Sequence, residues 1–513
     1  MTNGPATIAP RSPASLKQNI AANFGGTLWQ ALMGLVFVPL YIKFMGIESY
    51  GLIGIFSTLQ ITLGLLDLGL GSTLTRGMAR LSALPDKEQE MRNLIRTLET
   101  IYWSVAVIVG ISVVATSPFI AHHWVKAGEL SPGTVEQALF IMGFLMVFQM
   151  PIGFYSGGLL GLQKQVLLNV INVCMSTLRG GGAVLVLWLV SPTIQAFFLW
   201  QIAVSVLHAF TMALSLWRSV PPSAERSAFE KRLVRESWRF AAGMSGISVF
   251  STILTQLDKV ILSKVLSLEM FGYYMLASVV AGSLARLFTP VFFSIYPRFI
   301  QLASLNDLDG LARLYHKCSQ FMAVLILPVA VIVALYSYDL ILLWTQNQET
   351  AERTHLLVSI LISGTAINGI MNPPYALQLA FGWTKLSFFK TLVAVILVVP
   401  LIIYMTGRYG AAGAAVSWLV LNVGMLLVEI PIMHRRLLRK EQWRWYFQDV
   451  TVPLAAACAV ACAGRYIAGG AASQIMALVH MGTVSVCALA FVGLVTPVSR
   501  TWLVTLVSGS RRA

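Results

Sequence analysis

The sequence predicts an all-α polytopic membrane protein. We expect about 14 transmembrane helices, in two six-helix lobes of parallel repeat around a central cavity, plus two extra helices at the C-terminal end. Three observations carry this reading. Of 513 residues, 57% are hydrophobic and only 11% are charged, whereas a soluble chain of this length is about 25% charged. Apolar runs of about 20 residues recur from end to end, which suits helices crossing a bilayer. They are too long and too unalternating for barrel strands of about 10 residues. The third observation is a polar island that is written twice.

That island, KFMGIESYG at Lys43 to Gly51, returns as KVLSLEMFG at Lys264 to Gly272. Lys43 matches Lys264, Glu48 matches Glu269 and Gly51 matches Gly272. At the same spacing Leu81 matches Leu302, so the second and eighth spans align over their length. YSGGLLGLQK from Tyr155 resembles YALQLAFGWTK from Tyr375, with one residue inserted. The repeating unit is six spans, an even number, so both copies enter the membrane in the same direction. Parallel repeats of this kind are one transporter architecture. The island reads as the tight outer turn joining the first two helices of each lobe. Its Lys and Glu are expected at the water boundary, with its Gly opening the next helix.

The expected spans run near 19–42, 50–75, 97–120, 135–158, 165–190, 193–217, 240–263, 271–296, 316–343, 355–380, 386–406, 411–433, 447–468 and 473–497. They divide the chain into a polar tail at 1–18, an N-lobe at 19–217 and a basic linker at 218–239. A C-lobe at 240–434 and an appendix with tail at 435–513 follow. No short apolar segment with a small-residue cleavage site follows the polar tail, so the first span is expected to stay as an anchor. Lys and Arg alternate between loops. Arg76, Arg80, Lys87, Arg92 and Arg96 fall on one side, joined by the linker's Arg218, Arg226, Lys231, Arg232, Arg235 and Arg239 and by Arg435, Arg436, Arg439, Lys440 and Arg444. The intervening loops carry few. This bias places both termini in the cytoplasm and demands an even span count. It also accounts for most of the net charge of +15 without nucleic acid as a partner. The five cysteines, Cys174, Cys318, Cys458, Cys462 and Cys487, form no CxxC pair and read as small core residues.

An ionisable side chain inside a span costs about 2.5–3.5 kcal/mol on insertion scales, so each one needs a reason. Arg179 lies near the middle of the fifth span and Arg286 near the middle of the eighth. Asp258 and Lys259 sit toward the outer end of the seventh, and Asp67 toward the inner end of the second. Arginine donates in pairs from a planar fork and keeps its charge, which suits phosphate oxygens. Arg179, Arg286 and Lys259 are therefore the candidate cationic binding residues for an anionic headgroup. Asn23, Gln30, Gln60 and Gln256 are candidate polar lining. Amides at such positions bond sugar hydroxyls or join helices, and the pattern leaves both open. Gly69 and Gly71 are expected to break the second span, the glycines at 180–182 to loosen the fifth, and Pro290 and Pro297 to kink or end the eighth.

The stretches NFGGTLWQALMGLVFVPLYIKFMGIESYGLIG and LLDLGLGSTLTRGMARL, with LDKVILSK and NPPYALQLAFGWTK in the second half, resemble Wzx-type polysaccharide flippases. These belong to the multidrug/oligosaccharidyl-lipid/polysaccharide (MOP) exporter superfamily. The resemblance implies helices 1, 2, 7 and 8 around a central cavity and alternating access. It implies an undecaprenyl-diphosphate-linked oligosaccharide as cargo, with membrane lipids, a polysaccharide polymerase and chain-length proteins as partners. It also implies energy from an ion or proton gradient, with Asp67 and Asp258 as candidate coupling residues. No cofactor is expected. A drug/cation antiporter of the same superfamily is the nearest alternative, and it favours carboxylates in the cavity. An enzyme such as a membrane polysaccharide polymerase expects a large outer loop, whereas the loops near 121–134 and 344–354 are short. No GxxxxGK[ST] motif supports an ATP-driven pump within this chain.

The charge bias gives a direct test. A reporter fused after Ala513 should read out in the cytoplasm, and signal from the far side would overturn the topology.

Overall fold

Inside hydrocarbon a chain must close its own backbone hydrogen bonds, and helices do this within one segment. The computed structural model describes residues 16–67, 69–223, 225–235, 252, 255–468 and 474–497. The first part of the expected tail, the end of the basic linker, most of the expected seventh span and the C-terminal tail with Arg500, Arg511 and Arg512 lie outside them. Eleven helices among the described residues are long and apolar enough to cross a membrane. The other expected spans are accounted for differently. Leu16–Val36 is not among the eleven, the seventh span is mostly undescribed, and Phe388–Arg436 runs through two expected spans. The chain divides into two units, Met1–Ile253 and Leu254–Ala513.

In the first unit the helices are α1 (Leu16–Val36), α2 (Val38–Leu63), α3 (Leu70–Leu81), α4 (Glu88–Phe119), α5 (Pro132–Gly161), α6 (Gln165–Leu189) and α7 (Ile194–Ser219). A 3-10 turn at Gly64–Asp67 separates α2 from α3. Helix α5 is the hub, packing against α3, α4 and α7, while α1 lies on α6. Membrane helices lack a hydrophobic drive to associate, so small residues that allow close approach decide the contacts. A Cβ on Gly157 would sit 2.6 Å from the Gly71 carbonyl oxygen, and the Thr75 hydroxyl donates to the Gly157 carbonyl at 2.9 Å. Around this seam Leu74, Met78, Leu98, Phe154, Leu159 and Met212 form a buried core.

The second unit holds a helix α8 over 255–265, then α9 (Leu268–Ser283), α10 (Ala285–Ser304), α11 (Leu308–Leu335), α12 (Ser337–Thr345), α13 (Gln348–Ile370), α14 (Asn372–Ala380) and α15 (Thr384–Arg436). The short α16 (Gln442–Arg444) and a π turn at Trp445–Thr451 lead into α17 (Val452–Ala468) and α18 (Gln474–Val495). Helix α15 is two helices in sequence, broken at Gly410 with φ 58°. Helices α17 and α18 pack on each other and on α11, burying Ile332, Tyr336, Ala461, Val484 and Ala488. A polar staple adds to this. His316 on α11 bonds Asp449 through Nδ1 and Glu441 through Nε2 at 2.9 Å, and Gln320 donates to Asp449 at 2.8 Å.

The break expected at Gly69 is present, this residue standing at φ 68° before α3, whereas other breaks differ from those expected. The three glycines at 180–182 leave α6 continuous, because Phe37 and Trp200 occupy the space above Gly180 and Gly182. Helix α10 runs through Pro290 and Pro297, and the interruption falls earlier, at Leu284. Of the cysteines, Cys318 alone is buried, and Cys174, Cys462 and Cys487 are exposed.

The repeated island also resolves differently from its expected form. The reversal is made at Gly46, with φ 81° and ψ 166°, a region essentially reserved for glycine. Gly51 is buried within the following helix. At the matching position in the second unit Ser267 caps α9, its hydroxyl accepting from the Met270 amide at 3.3 Å. Lys43 is exposed, but Glu48 is only 4% exposed. Its carboxylate accepts the Gly128 amide, the Glu129 amide at 2.9 Å and the Leu130 amide at 2.7 Å. It therefore anchors the loop between α4 and α5.

Replacing Glu48 with Ala leaves three amides without that acceptor. Local stability of the loop should fall by about 2 kcal/mol, so these amides should exchange on the order of 30-fold faster. Hydrogen exchange over 128–130 measures this, with Glu48→Gln falling between the two.

Candidate functional site

Within the first unit Arg179 occupies α6 between α2 and α7. Its guanidinium donates to Ser205 Oγ at 3.2 Å. Tyr41, whose hydroxyl donates to the Gly180 carbonyl at 3.3 Å, lies beside it. Arg179 makes no ion pair among the described residues. One turn along α7 from Ser205, His208 is 8% exposed, and neither ring nitrogen has a hydrogen-bond partner among the described residues. This corner of the unit thus carries positive charge and open polar valences with no carboxylate to take them.

The other first-unit candidates do not join Arg179. The Asn23 amide donates to Gln165 Oε1 at 3.2 Å and its oxygen accepts from Asn169 at 2.6 Å, so it fastens α1 to α6. Trp29 donating to Thr177 at 2.8 Å extends the same seam. Gln30 donates to the Gly26 carbonyl of its own helix at 3.2 Å. Gln60 is half-buried on α2. Asp67 closes the 3-10 turn, accepting from the Gly71 amide at 3.3 Å beside Tyr102.

In the second unit Asp258 and Lys259 are brought into contact. Lys259 Nζ lies 3.3 Å from Asp258 Oδ1 and 3.0 Å from the Thr255 carbonyl, while Tyr274 donates to Asp258 at 2.9 Å. Here the cation is neutralised by its neighbour in sequence. Gln256 is half-buried, with its side-chain oxygen unpaired among the described residues. Arg286 stands just after the interruption at Leu284, exposed and with no ion pair among the described residues.

Sequence reasoning passed over a buried polar cluster of this unit. Glu429, 3% exposed, accepts from Lys390 at 2.6 Å and from Gln378 at 2.7 Å, and the Lys390 ammonium stands 4.8 Å from the Tyr375 ring centre. Lys390, inside the expected eleventh span, was the available signal. Asn368, bonded to Asn422 at 3.0 Å, is likewise a tie between helices. The amides of α13 and α14 therefore join helices within the unit.

Comparison with known proteins agrees with this architecture. The family described as polysaccharide biosynthesis protein matches residues 16–303. A curated protein of Shigella flexneri named "Putative O-antigen transporter" is 20% identical over 407 residues, covering 79% of this chain and 94% of that one. Among solved structures, the lipid II flippase MurJ in an inward closed conformation superposes with a TM-score of 0.67 at 14% identity, over 93% of this chain and 98% of that one. An inward-facing multidrug resistance MATE family transporter of the MOP superfamily gives 0.56 at 14% identity, over 80% and 94%. At these identities the two structures speak for the fold. With the family match over more than half its length, and a nearly all-helical multi-pass architecture that agrees with it, the chain belongs to the polysaccharide biosynthesis protein family.

Proposed function

We propose that this protein flips oligosaccharide repeat units linked to undecaprenyl diphosphate from the cytoplasmic to the periplasmic leaflet of a bacterial inner membrane. Surface polysaccharide such as O-antigen is then assembled from them. The observation that carries this reading is the pair of mid-span arginines, Arg179 and Arg286, neither of which has an ion-pair partner among the described residues. A guanidinium at membrane depth needs an anion or water, and a diphosphate supplies paired oxygens for its donors. The name carried by the Shigella relative, an O-antigen transporter, supports the same cargo class.

In this proposal both termini are cytoplasmic and the basic linker joins two lobes that alternate access to a shared cavity. Polysaccharide polymerase and chain-length proteins receive the product. Asp67 remains the candidate for ion or proton coupling, since Asp258 is engaged by Lys259. A drug/cation antiporter is the second reading, favoured by the MATE-like fold. The unpaired mid-span charges are cationic, which opposes a cationic drug.

Arg179→Ala and Arg286→Ala should each insert normally yet lower export of lipid-linked repeat units by about 10- to 100-fold. Lysine at either position should restore part of it, since it keeps the charge and loses the fork. The measurement is accumulation of lipid-linked repeat units against surface glycan in a strain lacking the native gene. Wild-type export by both alanine variants would remove the anion-binding reading.

A further inference from the structure

After Ser219 the chain leaves α7 and is laid back along the first turns of α4. Three α4 residues at four-residue spacing, hence on one face, hold this strap. Gln89 donates to the Arg226 carbonyl at 3.3 Å and accepts from the Ser223 hydroxyl. Asn93 accepts from the Ala228 amide at 2.9 Å and donates to the Glu230 carboxylate. Thr97 accepts from the Glu230 amide at 2.9 Å. Arg92 adds a bond to the Pro221 carbonyl at 3.3 Å and stands 5.4 Å from the Trp217 ring centre. So many ties make the strap a fixed wall.

Between strap and helix is a cavity of about 450 Å³ lined by Arg92, Arg96, Ser223, Glu225, Arg226 and Ser227. Three guanidinium groups and two hydroxyls face one carboxylate of the lining, and a second carboxylate, Glu99, takes up part of Arg96 at 3.3 Å. The lining therefore keeps net positive charge and donors in a concave setting, which suits phosphate oxygens. Its depth narrows the source. Helix α4 is apolar enough to span a membrane and starts at Glu88, so Arg92 and Arg96 lie one and two turns in, at headgroup level. The strap also exposes Phe229, at 47%, together with Pro221 and Pro222. A free ion has no use for that apolar margin, and an acyl chain does. We propose that this cavity binds the phosphate of an anionic phospholipid, so that lipid charge tightens the segment leading from the first unit to the second.

The test uses the full-length protein in neutral detergent. Phosphatidylglycerol, phosphatidylcholine or sodium phosphate is added at matched phosphate concentration, and hydrogen exchange is followed at 226–230. Phosphatidylglycerol should slow exchange there, whereas phosphatidylcholine and sodium phosphate should leave it unchanged. Arg226→Gln should raise the phosphatidylglycerol concentration needed about fivefold, and a double variant with Arg92→Gln about 25-fold, from the usual contribution of one basic residue near an anionic surface. Protection over 128–130 reports whether each variant is folded. If the double variant is not, the exposed Arg226→Gln carries the test alone. Undiminished protection by phosphatidylglycerol in Arg226→Gln would overturn the proposal. Equal protection by sodium phosphate would also overturn it, leaving an ion site in its place.

Discussion

Hydrocarbon offers a polar group nothing to bond with, and most of what is distinctive in this chain answers that constraint. Backbone groups close into helices. Several polar side chains that enter the apolar zone are met by other parts of the chain. Glu48 takes three consecutive amides, Glu429 is held by Lys390 and Gln378, and His316 is gripped on both ring nitrogens. A buried carboxylate with one partner removed is strongly destabilising, so each group fixes the helices that satisfy it. Against this background the arginines without a carboxylate stand out. They share that state with His208 and Gln256, whose side chains also keep unpartnered polar atoms among the described residues.

The fold class was legible because it depends on composition and periodicity, which tertiary packing does not alter. The island at Lys43 and Lys264 was visible as a repeat, but its burial of Glu48 and its reversal at Gly46 were not. The site was less legible. Arg179 and Arg286 announced themselves by charge in apolar runs. The pairing of Lys259 with Asp258 was visible as adjacency, but whether it neutralises or points apart depends on rotamers, and Tyr274 sixteen residues away helps decide it. The tie between Glu429 and Lys390 joins residues whose separation carries no local signal. Asn23 illustrates the same limit. An amide in a span has two uses, and only the position of Gln165 and Asn169 selects between them.

Proline was the most misleading letter, and glycine misled in part. In water they punctuate helices. Here the run at 180–182 gives way to the rings of Phe37 and Trp200, and Gly157 lets α3 and α5 touch backbone to backbone. Interruptions fall at Gly46, at Gly69 before α3 and at Gly410, all with positive φ, and at Leu284, where no proline stands. Membrane helices retain proline because neighbours can compensate the lost bond, so contact surfaces and hinges share one alphabet and must be told apart by what lies opposite.

The matching turn in the two halves has been solved by different chemistry. One half bends through a backbone conformation closed to every residue with a side chain, the other through an ordinary cap whose hydroxyl does the bonding. The two similar strings are thus not interchangeable at this turn. Position 267 asks only for a capping side chain, whereas position 46 asks for glycine.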